Sequence, residues 1–270
     1  MSFAGDVKKE LSELNNLANK DLVRAELMGY MSTNSSKEFS TGNQYNINRY
    51  SKLLNNVGED DFEINIKGNN FQIKTKSKIN IEQEINSDDE IKAFIRGAFL
   101  GSGSITNPNN NYHLEIIFEK RDFADLVQDL LMKKEIKSKI ISRDNKFLLY
   151  IVDGENISRF LALIGANKSV LDFEEARVFK EVRNKVNRIV NCETANLNKT
   201  INTSVKQIDA IKLLKARKKY KELSEKEQEL ADVRLKNPDA SLSELAEILG
   251  ISKSGVNHRM DKIMKAANDL

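Results

Sequence analysis

Two kinds of apolar spacing divide the chain. In the first part, runs at period two alternate with stretches at helical spacing. From Asp172 onward only helical spacing is visible. The opening segment MSFAGDVKKELSEL places Phe3, Val7, Leu11 and Leu14 at helical intervals. FEINIKG and FQIKTKS alternate around Gly68-Asn69-Asn70 and predict a hairpin. KSKIISR and KFLLYIVD do the same around Asp144-Asn145, after the alternating strand YHLEIIFE with Leu114, Ile116 and Phe118. KEFSTG reads as a further strand. Helices are expected over YNINRYSKLLNNV, KRDFADLVQDLLMKK and NISRFLALIG.

The first part also repeats itself faintly. DLVRAELMGYMSTNSS at 21–36 parallels AFIRGAFLGSGSITNP at 93–108. At an offset of 72 residues, Arg24 matches Arg96, Ala25 matches Gly97, Leu27 matches Phe99, Gly29 matches Gly101 and Ser32 matches Ser104. Each copy is followed by a similar order of elements, so each half reads as helix, strand, helix, hairpin, helix. That is an α+β arrangement with antiparallel sheets and a pseudo-two-fold, its half-domains at 1–88 and 89–171.

The rest is expected to be α-helical. DFEEARVFKEVRNKVNRIVNC carries Phe173, Phe179, Val182, Val186 and Ile189 near helical spacing. CETANLNKTINTS is polar with little periodicity and reads as a linker. Residues 172–204 are therefore expected to be a connecting helix and linker, and 205–270 a separate all-α domain. Its first helix, SVKQIDAIKLLKARKKYKEL, has Val205, Ile208, Ile211 and Leu214 on one side. Ser224 with Glu227 and Ser241 with Glu244 form capping-box starts, and Pro238 marks a break between them.

Charge sharpens this division. The net charge is only +3, yet residues 177–221 hold thirteen Lys/Arg against three Asp/Glu. Residues 222–270 hold seven against ten, which leaves −4 for residues 1–176. A basic middle joins two mildly acidic ends, as suits either a solvated helix or a phosphate-binding surface. Arg177, Lys180, Arg183 and Arg188 are the candidate phosphate contacts. Asn184, Asn187 and Asn191 lie near one face beside them and suit an interdomain hydrogen-bond network.

The strongest motif is SLSELAEILGISKSGVNHRMDKI at 241–263. In a helix-turn-helix, a small residue sits where the helices cross, a glycine permits the turn and an apolar residue anchors the second helix. Ala246, Gly250 and Val256 supply these, and Leu245, Leu249 and Ile251 complete the inner face. Ser252, Lys253, Ser254, Asn257 and His258 then point outward near the start of the second helix, where base edges and phosphates are reached in a major groove. Arg259 reaches toward the backbone from a position partly turned inward. Double-stranded DNA is the expected partner.

Other classes are disfavoured. One cysteine, Cys192, excludes an intrachain disulfide, and with only His113 and His258 no metal site is expected. No leading apolar run and no 18-residue apolar stretch occur, so a cytoplasmic protein with no membrane partner is expected.

NKVNRIVNCETANLNKT at 184–200, with SKSGVNHR at 252–259, resembles the WhiA family of bacterial sporulation and cell-division regulators. The resemblance covers nearly the whole chain. It implies a LAGLIDADG homing-endonuclease-like N-terminal domain tethered to a C-terminal helix-turn-helix. It also implies a nucleoid-associated transcription regulator linked to cell division and chromosome segregation, with no cofactor. The turn LGISKSG is shorter than the one common in the family. In a homing endonuclease each motif helix ends in an acid that holds a divalent metal. With Gly97 as the motif's first glycine and Gly103 as its last, the acid position falls on Ser102, and at the same offset on Tyr30. Neither is an anionic oxygen ligand, so these read as lost catalytic positions and no nuclease activity is expected. Glu26 stands one turn before Tyr30 and cannot easily substitute.

The acidic balance of 1–176 argues against a duplex-binding sheet. Lys74, Lys76 and Lys78 alternate on one face and read as an exposed face or protected edge. The first domain is expected to be a scaffold or protein-docking surface. The alternatives are an active endonuclease, or a sigma-like adaptor that binds RNA polymerase, since SEKEQELADVRLKNPDASLSELAEILGIS also looks like the promoter-reading domain of sigma factors. A regulatory protein or RNA polymerase is thus a second expected partner.

Overall fold

The computed structural model describes residues 2–34, 37–76 and 84–270, which form two units, Met1–Glu181 and Val182–Leu270. The first unit begins with α1 (Phe3–Ser12) and α2 (Lys20–Thr33). It continues through β1 (Glu38–Thr41), α3 (Gln44–Asn56), β2 (Phe62–Lys67) and β3 (Asn70–Thr75). The second half follows as α4 (Asp88–Ser102), β4 (Ser104–Ile105), β5 (Leu114–Phe118), α5 (Arg121–Lys133), β6 (Lys139–Arg143), β7 (Lys146–Ile151) and α6 (Gly154–Ile164). Two antiparallel sheets result, in the orders β1-β3-β2 and β4-β5-β7-β6. Alternation sets which face is covered. Leu114, Ile116, Phe118, Leu149 and Ile151 point into one buried core, while Glu115, Ile117, Leu148 and Tyr150 occupy the other face of the second sheet.

The two halves match less closely than their sequences suggest. Among the described residues the first half has no counterpart of α6, and its sheet has one strand fewer. Lys74 is exposed on β3, and Lys76 follows that strand, paired with Asp61 at 2.6 Å; Lys78 lies outside the described residues.

α2 and α4 pack against each other at the centre. A Cβ on Gly29 would lie 2.1 Å from the Phe94 carbonyl oxygen and 2.7 Å from the Ala98 nitrogen. A Cβ on Gly97 would lie 1.9 Å from the Glu26 carbonyl oxygen and 3.1 Å from the Tyr30 nitrogen. These two sets of contacts exchange when Gly29 is paired with Gly97, Glu26 with Phe94 and Tyr30 with Ala98. The spatial repeat therefore runs at an offset of 68 residues, one helical turn from the 72 read in the sequence. The position in α2 that corresponds to Ser102 is Asn34, not Tyr30.

Glu26 is tied into this crossing. Its buried carboxylate accepts from Arg49 Nε at 2.8 Å and Nη2 at 2.9 Å, and from Arg96 Nε at 3.0 Å. Arg49 also donates to the Leu14 carbonyl and to Asn16, and Arg96 to the Ile164 carbonyl at 3.1 Å. One acid thus joins α2, α3 and α4, with further guanidinium donors directed at the Leu14 and Ile164 carbonyls and the Asn16 side chain. Removing it would strand two buried cations.

α7 (Asn167–Ala216) is a single helix of 50 residues. It runs through the stretch 192–204 expected to be a linker. The segment holds no glycine or proline to break it. Its hydroxyls bond back one turn, Thr200 Oγ1 to Asn196 O at 3.0 Å and Thr203 Oγ1 to Lys199 O at 2.7 Å. The apolar spacing also misled within the second unit. Val205 is exposed, and its neighbours Ser204 and Gln207 are buried beside Ile211 and Leu214. Ser204 Oγ donates to the Pro238 carbonyl, which repays its burial.

Glu26→Gln is expected to cost the first unit about 3–5 kcal/mol. Chemical denaturation of the full chain, followed by far-UV dichroism, reads this as a lowered midpoint. An unchanged midpoint would show that the two arginines do not depend on the carboxylate.

Candidate nucleic-acid interface

Three helices build the end of the second unit: α8 (Glu225–Lys236), α9 (Leu242–Leu249) and α10 (Lys253–Asn268). Both expected capping boxes form, at Ser224 with Glu227 and at Ser241 with Glu244. At the second, the Ser241 amide and hydroxyl hold the Glu244 carboxyl below its ordinary value. Arg234, buried on α8, donates to the Asn237 and Ala240 carbonyls and so fixes the loop around Pro238.

The turn between α9 and α10 follows from backbone geometry. Gly250 sits at φ +65°, the left-handed region, and a Cβ there would meet nothing within 4 Å. Conformation, not space, selects glycine. Its N–H closes α9 on the Ala246 and Glu247 carbonyls, and Ser252 then caps α10 by accepting from the Gly255 N–H at 3.1 Å. Leu245, Ala246, Val256, Met260 and Ile263 are buried together, with Leu249 and Ile251 partly buried against them.

This packing leaves Ser252, Lys253, Ser254, Asn257 and His258 exposed on the leading turns of α10. They offer hydroxyl, ammonium, carboxamide and imidazole groups to one side. Asn257 Nδ2 is 3.3 Å from Asp261 Oδ2. Arg259 is turned instead toward α8, with Nη1 3.5 Å from the Lys226 carbonyl and 3.8 Å from Glu229. Lys262, one turn beyond His258, is exposed and was not singled out from the sequence, although its i+4 spacing would have shown it.

The four basic candidates on α7 separate into two kinds. Arg177 pairs with Glu174 at 2.6 Å. Lys180 donates to the Asn110 carbonyl and sits 4.4 Å from the Tyr112 ring centroid. Arg183 and Arg188 are exposed. Cys192 is exposed as well.

The side chains at the ends of α2 and α4, where an acid would be expected by resemblance, are engaged with their neighbours. Ser102 Oγ donates to the Ile117 carbonyl at 2.7 Å and accepts from the Ile117 N–H at 3.0 Å. Asn34 Nδ2 bonds Thr33 Oγ1 at 2.9 Å and the Tyr30 carbonyl at 3.2 Å. Tyr30 is buried against Phe39 and Tyr50, and its hydroxyl donates to Asn46. Burial first, and then the Glu26 carboxylate, push its phenol well above the ordinary value, so it stays neutral. Among the described residues no three His, Cys, Asp or Glu gather into a metal-holding group. No described helix is long and apolar enough to cross a membrane.

Comparison with known proteins places this geometry. Residues 186–267 match the WhiA C-terminal HTH domain, and residues 91–183 match the WhiA LAGLIDADG-like domain. The chain belongs to the WhiA family. Relatives include the probable cell division proteins WhiA of Clostridium beijerinckii, 47% identical over 193 residues, and of Clostridium tetani, 46% identical over 194. These matches cover 70% and 71% of this chain and 61% of each relative, so the chain spans about three fifths of their length. The crystal structure of full-length DUF199/WhiA from Thermatoga maritima is 27% identical with a TM-score of 0.65, covering 100% of this chain and 99% of that one. The N-terminal LAGLIDADG domain of DUF199/WhiA is 25% identical with a TM-score of 0.55, over 61% of this chain and 90% of that one. The fold is therefore a LAGLIDADG-like N-terminal domain with a helix-turn-helix C-terminal domain.

Gly250→Ala is expected to cost the second unit about 1–2 kcal/mol. Gly250→Asn should recover most of this, because asparagine tolerates the left-handed region. Thermal unfolding of the full chain compares the two; equal losses would place the cost elsewhere than in φ.

Proposed function

We propose that this chain is a sequence-specific binder of double-stranded DNA that regulates transcription in cell division and chromosome segregation. The observation that supports it most is the exposed polar set on the leading turns of α10, presented by a glycine-built turn. Asn257 can pair bidentately with adenine, Lys253 with guanine or phosphate, and the two serines with either. His258 serves as a further surface contact. Arg259, held toward α8, positions the helix and reaches phosphate only at its edge. Arg183 and Arg188 add phosphate contacts within the basic stretch 177–221, while Arg177 and Lys180 act mainly through their partners in the first unit. The relatives' printed name, probable cell division protein, supports the cellular role.

The first domain is proposed to be a scaffold without nuclease activity. Asn34 and Ser102 supply no carboxylate where two hard cations would be gathered. Their polar groups are committed to neighbouring backbone and side chain. Residues 1–176 carry −4, which suits docking of proteins better than contact with phosphate.

Footprinting on genomic DNA is expected to give discrete protected sites. Asn257→Ala should weaken the specific site by about 1–3 kcal/mol and leave non-specific binding unchanged. Lys253→Ala is expected to lower affinity across sequences and reduce the salt slope by about one. Uniform, sequence-independent protection would overturn the reading. So would DNA cleavage with Mg²⁺ that disappears in the Asn34→Ala, Ser102→Ala variant.

A further inference from the structure

Among the described residues, no further strand pairs with the outer edge of the second sheet. β6 is its outer strand, and the opposite edge, β4, has only two residues. The turn Asp144-Asn145 joins Arg143 to Lys146 as the closing pair of the hairpin. In a two-residue hairpin that pair is hydrogen-bonded, so the alternate residues Ile140 and Ser142 turn their N–H and C=O away from β7. One outward carbonyl at the strand's start, that of Ser138, already accepts from Gln128 Nε2 at 3.0 Å. Among the described residues, the next positions along that edge have no strand partner.

The side chains beside this edge form a code. Lys139, Ile141 and Arg143 lie at i, i+2 and i+4 on the outer face, all exposed, and their cross-strand neighbours there are Tyr150, Leu148 and Lys146. The face is apolar at its centre and basic around it. Arg143 has Asp144 at 3.4 Å, a solvent-exposed pair that leaves its guanidinium available. The corresponding positions of β2, the edge of the first sheet, are Glu63, Asn65 and Lys67, with no net charge. At the beginning of β6, Ser138 Oγ is buried without a hydrogen-bond partner. A cleft of about 420 Å³ opens there, lined by Ser138, Lys139, Tyr150 and Asn156 and also by the acids Asp153 and Glu155.

We propose that β6 receives an extended segment of a partner protein as an added strand, one that alternates acidic, apolar and acidic residues on its outer face. The acids lie opposite Lys139 and Arg143, and the apolar residue packs on Ile141 beside Leu148. Main-chain bonds to Ile140 and Ser142 give the affinity, and the charge pattern gives the choice of partner. This surface is independent of α10, so its test does not depend on DNA binding.

The probe is a fluorescein-labelled peptide, Thr-Glu-Thr-Val-Thr-Glu-Thr, whose palindromic order serves either strand direction. With the full chain it should bind saturably and slow hydrogen exchange at the Ile140 and Ser142 amides. Lys139→Glu with Arg143→Glu, both exposed positions, should weaken it at least about tenfold. The same variant should instead bind the peptide with lysines in place of the glutamates. Absence of binding, an affinity unmoved by charge reversal, or binding that leaves those two amides unprotected would each overturn the proposal. Displacement of the peptide by duplex DNA would also overturn it, in favour of a phosphate-binding strand.

Discussion

Everything in the first unit depends on how closely two helices can approach. Gly29 and Gly97 bring backbone against backbone, each at a place where even a methyl group would overlap a carbonyl oxygen of the other helix. At that distance little room is left for side chains, and the polar groups nearby must be satisfied locally. Glu26 does this by gathering Arg49 and Arg96 from the two neighbouring helices. The sheets and outer helices are then built around a centre whose geometry is fixed by two missing Cβ atoms and one shared carboxylate.

The second unit solves a different problem with different means. It is small, so its order comes from caps and turns as much as from its core. Ser241, Gly250 and Ser252 start and stop helices within a dozen residues. The exposed groups of α10 are held in place by that punctuation. They make few contacts of their own, which leaves them available.

Much of this was legible in the sequence. Period-two runs located five of the seven strands among the described residues, and the capping boxes located α8 and α9, because these signals are local. The helix-turn-helix was legible for the same reason: Ala246, Gly250 and Val256 lie within eleven residues of one another. The repeat register was not. Offsets of 68 and 72 differ by about one helical turn, so both place small residues on the same stripe, and only contact across the crossing separates them. The linker was misread because Thr200 and Thr203 satisfy themselves against their own helix, which composition does not reveal. The buried polar side of α7 near Ser204 was hidden because its partner, the Pro238 carbonyl, is far along the chain.

The pair of bonds between Ser102 and Ile117 ties the end of α4 to β5. The hydroxyl donates a hydrogen bond to the Ile117 carbonyl and accepts one from the Ile117 N–H. A carboxylate can only accept. An acid at this tip would place its oxygen against the Ile117 carbonyl oxygen and keep only one of the two bonds. The serine therefore acts as a two-way latch: the end of α4 and the middle of β5 are joined through a single atom, so neither can shift along the other without giving up both bonds.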